Sequence, residues 1–278
     1  MAALKTADLT AEEIAGRYWR GFRFIQAGYY VVLALYLLFL WEMATGPLGD
    51  SRWWFLIYIL SLALFLICLR LVRLGNSVHG LGLERILNRD CDAVKYAEVY
   101  RLLLGRMKRN TETAKLNEAR GLFFSGRFRE AAALLDEVQL KKPGLSQKLV
   151  YQNIAFNCCL RLGDGRRAEE LRRETERLLE KERPGKALRK SGEMLLTLMD
   201  AGLAFQREDY EAFRRLEAEL EGLYTEPLQR VAAAYRLALA DLAQGEAEKA
   251  RSRLDMVVKQ GGTLDCAKDA RRLLAELA

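Results

Sequence analysis

The sequence predicts an all-α chain in two parts: a pair of apolar helices folded as a membrane hairpin, then an α-solenoid of packed amphipathic helices. Three observations predict it. Two uncharged apolar runs, Phe24 to Trp41 and Trp53 to Val72, stand back to back, with only Arg70 intruding at the far end. From Asp90 onward the pattern is helical almost without interruption, with no β-branched runs or hairpin turn pairs. Helix-stop signals punctuate that stretch at Pro143-Gly144, Pro184-Gly185, Glu226-Pro227 and Gly261-Gly262.

The first element is a helix announced by Thr10 and Glu13, spaced as a capping box. It places Ile14, Tyr18 and Phe22 on one face and suits a membrane surface. The two apolar runs follow. A bilayer core of roughly 30 Å needs about 20 such residues in a helix. Gly46, Pro47 and Gly49 lie between the runs and favour a turn. All four Trp residues (Trp19, Trp41, Trp53, Trp54) lie where the runs end, as interfacial anchors do. Helices of a soluble core rarely run this far without a charge. A cleaved leader is disfavoured, because the first run starts late, lacks a small-residue cleavage site and is followed at once by a second span.

Lys and Arg beside the spans set the orientation. Lys5, Arg17, Arg20 and Arg23 precede the first; Arg70, Arg73, Arg85 and Arg89 end or follow the second; only Arg52 lies between. Both termini are therefore expected in the cytoplasm. The organisation reads as an amphipathic N-terminal helix (1–23), a transmembrane hairpin (24–73), a connector (74–89) and a cytoplasmic repeat domain (90–278). Small residues recur within the spans, Ala27 and Ala34 in the first and Ser61 and Cys68 in the second, where helix backbones could approach. No acid, base or His lies within the spans' middle, which removes a proton relay or ion pathway.

The net charge of +7 does not point to nucleic acid, because the charges are mixed. Between Arg166 and Lys190 basic residues interleave with Glu169, Glu170, Glu174, Glu176, Glu180 and Glu182, the pattern of i,i+4 helix pairs. A purer basic run, Arg101, Arg106, Lys108 and Arg109, could meet anionic headgroups at about 1 kcal/mol per residue or be a solvated helix end. The five Cys include no C-x-x-C, and the single His79 stands in no catalytic motif and reads as structural. No phosphate loop, H-E-x-x-H or G-x-S-x-G occurs, so no enzyme, metal or cofactor is expected.

Internal repetition supplies the rest. Between Lys115 and Pro143, Ala119, Leu122, Gly126, Phe128, Ala131, Leu135 and Val138 stand at the spacing of a helix-turn-helix repeat. Gly163-Asp164-Gly165 with Ala168 matches the turn, though the following helix lacks the apolar positions. Asp209-Tyr210 matches with Phe213 in place of Ala. Ala238, Gly245, Ala247, Ala250, Leu254 and Val257 match well. Gly126, Gly163, Glu208 and Gly245 are separated by 37, 45 and 37 positions, against a family period of about 34. On these residues the chain resembles a divergent tetratricopeptide repeat. Arg127 replaces the usual Asp, and no Trp opens the first unit. Asp92 as N-cap begins a helix before the first unit. Asp265 begins a final helix with Leu273, Leu274 and Leu277, and Lys268, Arg271 and Arg272 outward, as a capping helix requires. A non-repeat bundle is the plainer alternative.

The resemblance implies a protein or peptide partner held along the concave face. Aligned to it, Arg120, Asn153, Asn157, Arg161, Gln206 and Tyr235 line that groove, and a groove Asn would hold a peptide backbone. The terminal-carboxylate clamp of the family is matched only in part. The chain is thus expected to be a membrane-anchored adaptor or scaffold in a cell inner membrane. Its other contact is lipid, through two spans. A structural subunit of a larger membrane complex and a ligand-sensing regulator are the alternatives. The Ala-, Leu-, Arg- and Glu-rich style suggests a bacterial origin.

Overall fold

The computed structural model describes residues 8–45, 54–107, 111–139 and 143–277, with the backbone alone at 54 and 73–81. Gly46, Pro47, Gly49, Arg52, Trp53, Lys5, Lys108 and Arg109 lie outside the described residues, as do the side chains of Trp54, Arg73 and His79. Among the described residues there are twelve α-helices and no strand. They form two compact units, one ending at Glu84 and the other beginning at Arg85.

In the first unit, α1 (Ala11–Thr45) starts at the capping box. The Thr10 N–H donates to Glu13 Oε2 at 3.0 Å, and the Glu13 N–H donates to Thr10 Oγ1 at 3.3 Å. With no Pro to stop it, α1 continues straight from the amphipathic segment into the apolar run as one helix of 35 residues. Likewise α2 (Trp54–Asn88) runs through the expected connector. Gly75, Gly80 and Gly82 lower helix propensity by about 1 kcal/mol each, which does not break a helix of this length. Composition, not a backbone break, therefore separates the segments at 23/24 and 73/74.

Both helices are long and apolar enough to cross a membrane, and none of the residues in their apolar windows is buried. Phe24 is 81% and Trp41 69% exposed. The helices meet where the Tyr36 and Phe65 rings stack, with centroids 4.2 Å apart. Ser61 and Cys68 share the half-buried face of α2 with Phe65. Ala27 and Ala34 do not face that contact. Val32, Tyr36 and Phe39 form the half-buried stripe of α1, and both alanines are exposed.

The second unit contains α3 (Ala93–Leu104), α4 (Thr111–Phe124), α5 (Phe128–Asp136), α6 (Leu145–Leu162), α7 (Gly165–Glu182), α8 (Lys186–Gln206), α9 (Tyr210–Glu221), α10 (Pro227–Ala243), α11 (Ala247–Gln260) and α12 (Asp265–Glu276). Each packs on its successor; α4 also meets α6, α6 meets α8, and α10 meets α12. Four turns inside it are alike. The Arg127, Asp164, Asp209 and Glu246 N–H groups donate back to Leu122, Cys159, Ala204 and Asp241 carbonyls at 2.8–3.0 Å. The residue before each has positive φ: Gly126 at 91°, Gly163 at 83°, Glu208 at 60° and Gly245 at 77°. This is one Schellman turn made four times. The small residues that follow, Ala131, Ala168 and Ala250, are fully buried where helices cross. Phe213, in the Ala position of its unit, is also fully buried, against Phe205 at 5.2 Å.

The helix after Gly163 does have an inward face. Ala168, Leu171 and Thr175 are buried there, and the Thr175 hydroxyl satisfies itself on the Leu171 carbonyl at 2.8 Å. Thr thus fills an apolar position at no unpaired-donor cost. Two carboxylates are buried as well. Asp241 accepts from Arg214 of α9 (2.6 Å) and from Arg253 of α11; Glu217 accepts from Arg236 (2.7 Å) and from the Tyr224 hydroxyl (2.7 Å).

The two ends of this unit meet. Asp92 caps α3 by accepting from the Lys95 N–H at 3.1 Å. Thr263 also caps it: its Oγ1 accepts from the Val94 N–H at 3.2 Å, and its own N–H donates to the Cys91 carbonyl at 3.1 Å. The packing at that seam is tight, since a Cβ on Gly262 would lie 2.7 Å from the same carbonyl.

Candidate functional site: the inner face of the helical array

Arg161 stands at the end of α6, its guanidinium 4.6 Å from the centroid of the Phe128 ring. From there it donates to Asp265 Oδ2 at 3.1 Å. Asp265 is the first residue of α12, and a Cβ on Gly126 would come within 2.3 Å of its Oδ1. The φ of 91° favours Gly at 126, and any side chain there would also have to displace the Asp265 carboxylate. One turn along α12, Asp269 Oδ2 accepts from the Tyr235 hydroxyl of α10. Arg161 and Tyr235, far apart in sequence, are thus brought together by two carboxylates four residues apart on one helix face.

The other predicted groove residues are placed differently. Arg120 of α4 donates to Asn88 Oδ1 at 2.7 Å and lies 6.0 Å from the centroid of Tyr96. Asn153 and Asn157 stay on α6 and bond to one another: Asn157 Nδ2 donates to both the Asn153 carbonyl and its Oδ1, each at 2.8 Å. Gln206, exposed at the end of α8, rests against the start of α7, where a Cβ on Gly165 would approach its Nε2 to 2.7 Å. The six do not form one continuous open row.

Electrostatics favour this pairing. Burial alone would push the Asp269 carboxyl up, but hydrogen bonds from Tyr235 and Arg272, with the charges of Arg272 and Arg161, hold it below the usual range. Burial, and then the bond to Asp269, push the Tyr235 phenol up, so it remains a proton donor. The thiols of the buried Cys91 and Cys158 and of the half-buried Cys266 are similarly favoured in the protonated form. Burial pushes Cys91 up to about 11 and Cys158 and Cys266 up to about 12. Such thiols pack as small apolar groups and are poor nucleophiles.

The arrangement offers donors aimed at carboxylates. Among the described residues no group of three or more His, Cys, Asp or Glu is placed to hold a metal ion. A separate cleft of about 460 Å³ along α11 is lined by Glu248, Arg251, Asp255 and Lys259, a mixed-charge surface. Asn88, Asp269 and the Phe128 platform were not anticipated as members of this site. α12 itself was legible from Asp265 onward, and the Asp265–Asp269 spacing was the local signal that could have tied it to the site. Comparison with protein-family models, with curated proteins and with solved structures returned no match to the chain.

Proposed function

We propose that this chain is a membrane-anchored, non-enzymatic adaptor or scaffold whose tetratricopeptide-like domain binds a protein or peptide partner on the cytoplasmic side. The observation that carries the reading is the contrast between the two units. The apolar windows of α1 and α2 bury none of their residues, whereas the second unit buries a core of its own. A bare apolar pair of that length suits lipid, and a self-sufficient domain beside it suits a tether. The four equivalent Schellman turns support the repeat reading. Tethering raises the local concentration of the array toward membrane partners, a gain of effective concentration without any new contact. Lys and Arg beside the spans support cytoplasmic termini.

The test is site-specific photo-crosslinking in cells, from Asn157 and Gln206, with Arg166 on the outer surface as control. A discrete adduct from the first two positions and none from the third is expected. Equal, diffuse labelling from all three would sink the adaptor reading. Protease added from outside to intact cells should leave the second unit uncut; its removal would reverse the topology.

The second reading, a structural subunit of a membrane complex, draws on the outward placement of Ala27 and Ala34 on α1. Replacing both by Leu should then remove a partner on native gels, and unchanged migration would exclude it.

A further inference from the structure

The inner face does not stand open: its Arg161 and Tyr235 are taken by the chain's own last helix. α12 is weakly anchored for its length. Of its residues only Ala267 and Ala270 are fully buried, with Leu264 just before it and Cys266, Leu273 and Leu274 half-buried, whereas α10 buries eight. Two alanines and three half-buried apolar side chains remove less apolar area from water than the inward face of α10 does, so the helix gains less from burial. The Arg161–Asp265 pair is partly exposed, with side chains 41% and 29% accessible. Pairs open to water in this way contribute little to stability. The helix is preceded by Gly261 and Gly262, the latter at φ 51°, a left-handed position that Gly adopts without strain. Helices with few buried contacts open at lower free energy than the core around them.

The occupant displays the chemistry that the site accepts. Arg161 is a charged donor held over Phe128, and Tyr235 is a neutral donor fixed by burial. They meet two carboxylates one helical turn apart, with the buried Ala267 between them and Ala270 just after, small residues that allow close approach. We propose that Arg161 and Tyr235 form a binding site for an acidic helix of a partner protein, one with two carboxylates a turn apart, and that α12 closes this site in the resting chain as a built-in competitor. This rests on the reading of the array as a binding surface. A segment tethered beside the site is present at an effective concentration of about millimolar order. A partner must therefore displace it, and apparent affinity is reduced by the fraction of chains in which α12 is released. The carboxylates of α12 thus set the threshold for partner binding.

The probe is a labelled peptide of residues 262–278, added to the full-length chain in detergent micelles and followed by fluorescence anisotropy. The wild-type chain should take up the peptide poorly. The Asp265→Asn/Asp269→Asn double variant should bind it about tenfold or more tightly, as expected if the open fraction rises by that factor. Adding Arg161→Gln should reverse the gain, and a peptide with Asn at both Asp positions should bind neither chain. Hydrogen exchange over 264–276 should be faster in the double variant. Unchanged exchange would mean that Leu264, Ala267 and Ala270 alone hold the helix, and would overturn the proposal. So would equal uptake by wild type and variant, or uptake indifferent to Arg161→Gln. If the double variant fails to fold, the single Asp265→Asn variant weakens α12 alone, leaves Arg161 and Tyr235 intact and should still raise uptake of the wild-type peptide; no rise would count equally against the idea. A discrete in-cell adduct at Asn157 without peptide uptake would defeat this mechanism and leave the adaptor reading standing.

Discussion

Thr263 Oγ1 donates to Asp92 Oδ1 at 2.9 Å across 171 positions of chain. The same carboxylate oxygen caps α3, so one short cluster serves both a helix end and the closure of the array. Thr263→Val keeps the volume and removes the hydroxyl. It should destabilise the second unit by about 1–2 kcal/mol, since it deletes two hydrogen bonds and leaves the Val94 N–H without its acceptor. Urea unfolding would give the magnitude, and hydrogen exchange should speed up at residues 91–95 first. Exchange unchanged there would mean that the ends are held by packing alone.

Glu208 occupies a turn position that Gly fills in the three equivalent turns. A non-Gly residue in the left-handed region costs about 1–3 kcal/mol, and the flexibility of Gly returns about 0.5–1 kcal/mol of that. Glu208→Gly should therefore raise stability by about 0.5–1 kcal/mol. Gly245→Ala, the mirror experiment, should lower it by about 1 kcal/mol. Thermal midpoints that move the other way would show that the four turns are not equivalent.

Asp241 is fully buried between two arginines, and removing one member of such a group leaves uncompensated charge. Asp241→Ala should cost about 3–5 kcal/mol. Replacing Asp241, Arg214 and Arg253 together by apolar residues should cost much less. The comparison of urea midpoints for the single and triple variants decides whether the network specifies the α9–α10–α11 packing or merely tolerates burial.

Asp269 supplies the pH dependence. Its folded-state pKa lies below the unfolded carboxylate value of about 3.9. Its contribution is therefore fully present above about pH 4 and is lost as pH falls through the folded value. Amides of α12 should exchange faster, relative to those of α10, as pH drops below about 4, after correction for intrinsic rates. Asp269→Asn should flatten that trend. An unaltered trend in the variant would assign the dependence to another carboxylate.

Helix boundaries were legible because their signals are local. The Thr10–Glu13 box, Asp92, Pro143-Gly144 and Gly261-Gly262 each act within a few residues. The turns at Gly126, Gly163, Glu208 and Gly245 were legible for the same reason, down to the one that lacks Gly. What the sequence hid is long-range or averaged over a helix. Nothing near Asp241 distinguishes it from surface acids, because its partners come from two other helices. Thr175 does not look apolar until its hydroxyl is bonded to its own helix. The continuity of α2 was hidden by its glycines, whose local cost is outweighed by a helix already 20 residues long when it reaches Leu74. The groove residues were placed by a repeat alignment, which locates a helix face but not what lies across from it; the structure puts Asn88 and α12 there.

The four turns are alike, but the helices between them are not: α5 has 9 residues and α7 has 18, while α9 has 12. Length variation is absorbed at the opposite ends of the hairpins, near Pro143, Pro184 and Glu226, and never at the turns. The loop around Pro184-Gly185 is the natural place to splice in a reporter or an affinity handle. The same insertion beside Gly126 would wedge against Asp265 and spring the array apart.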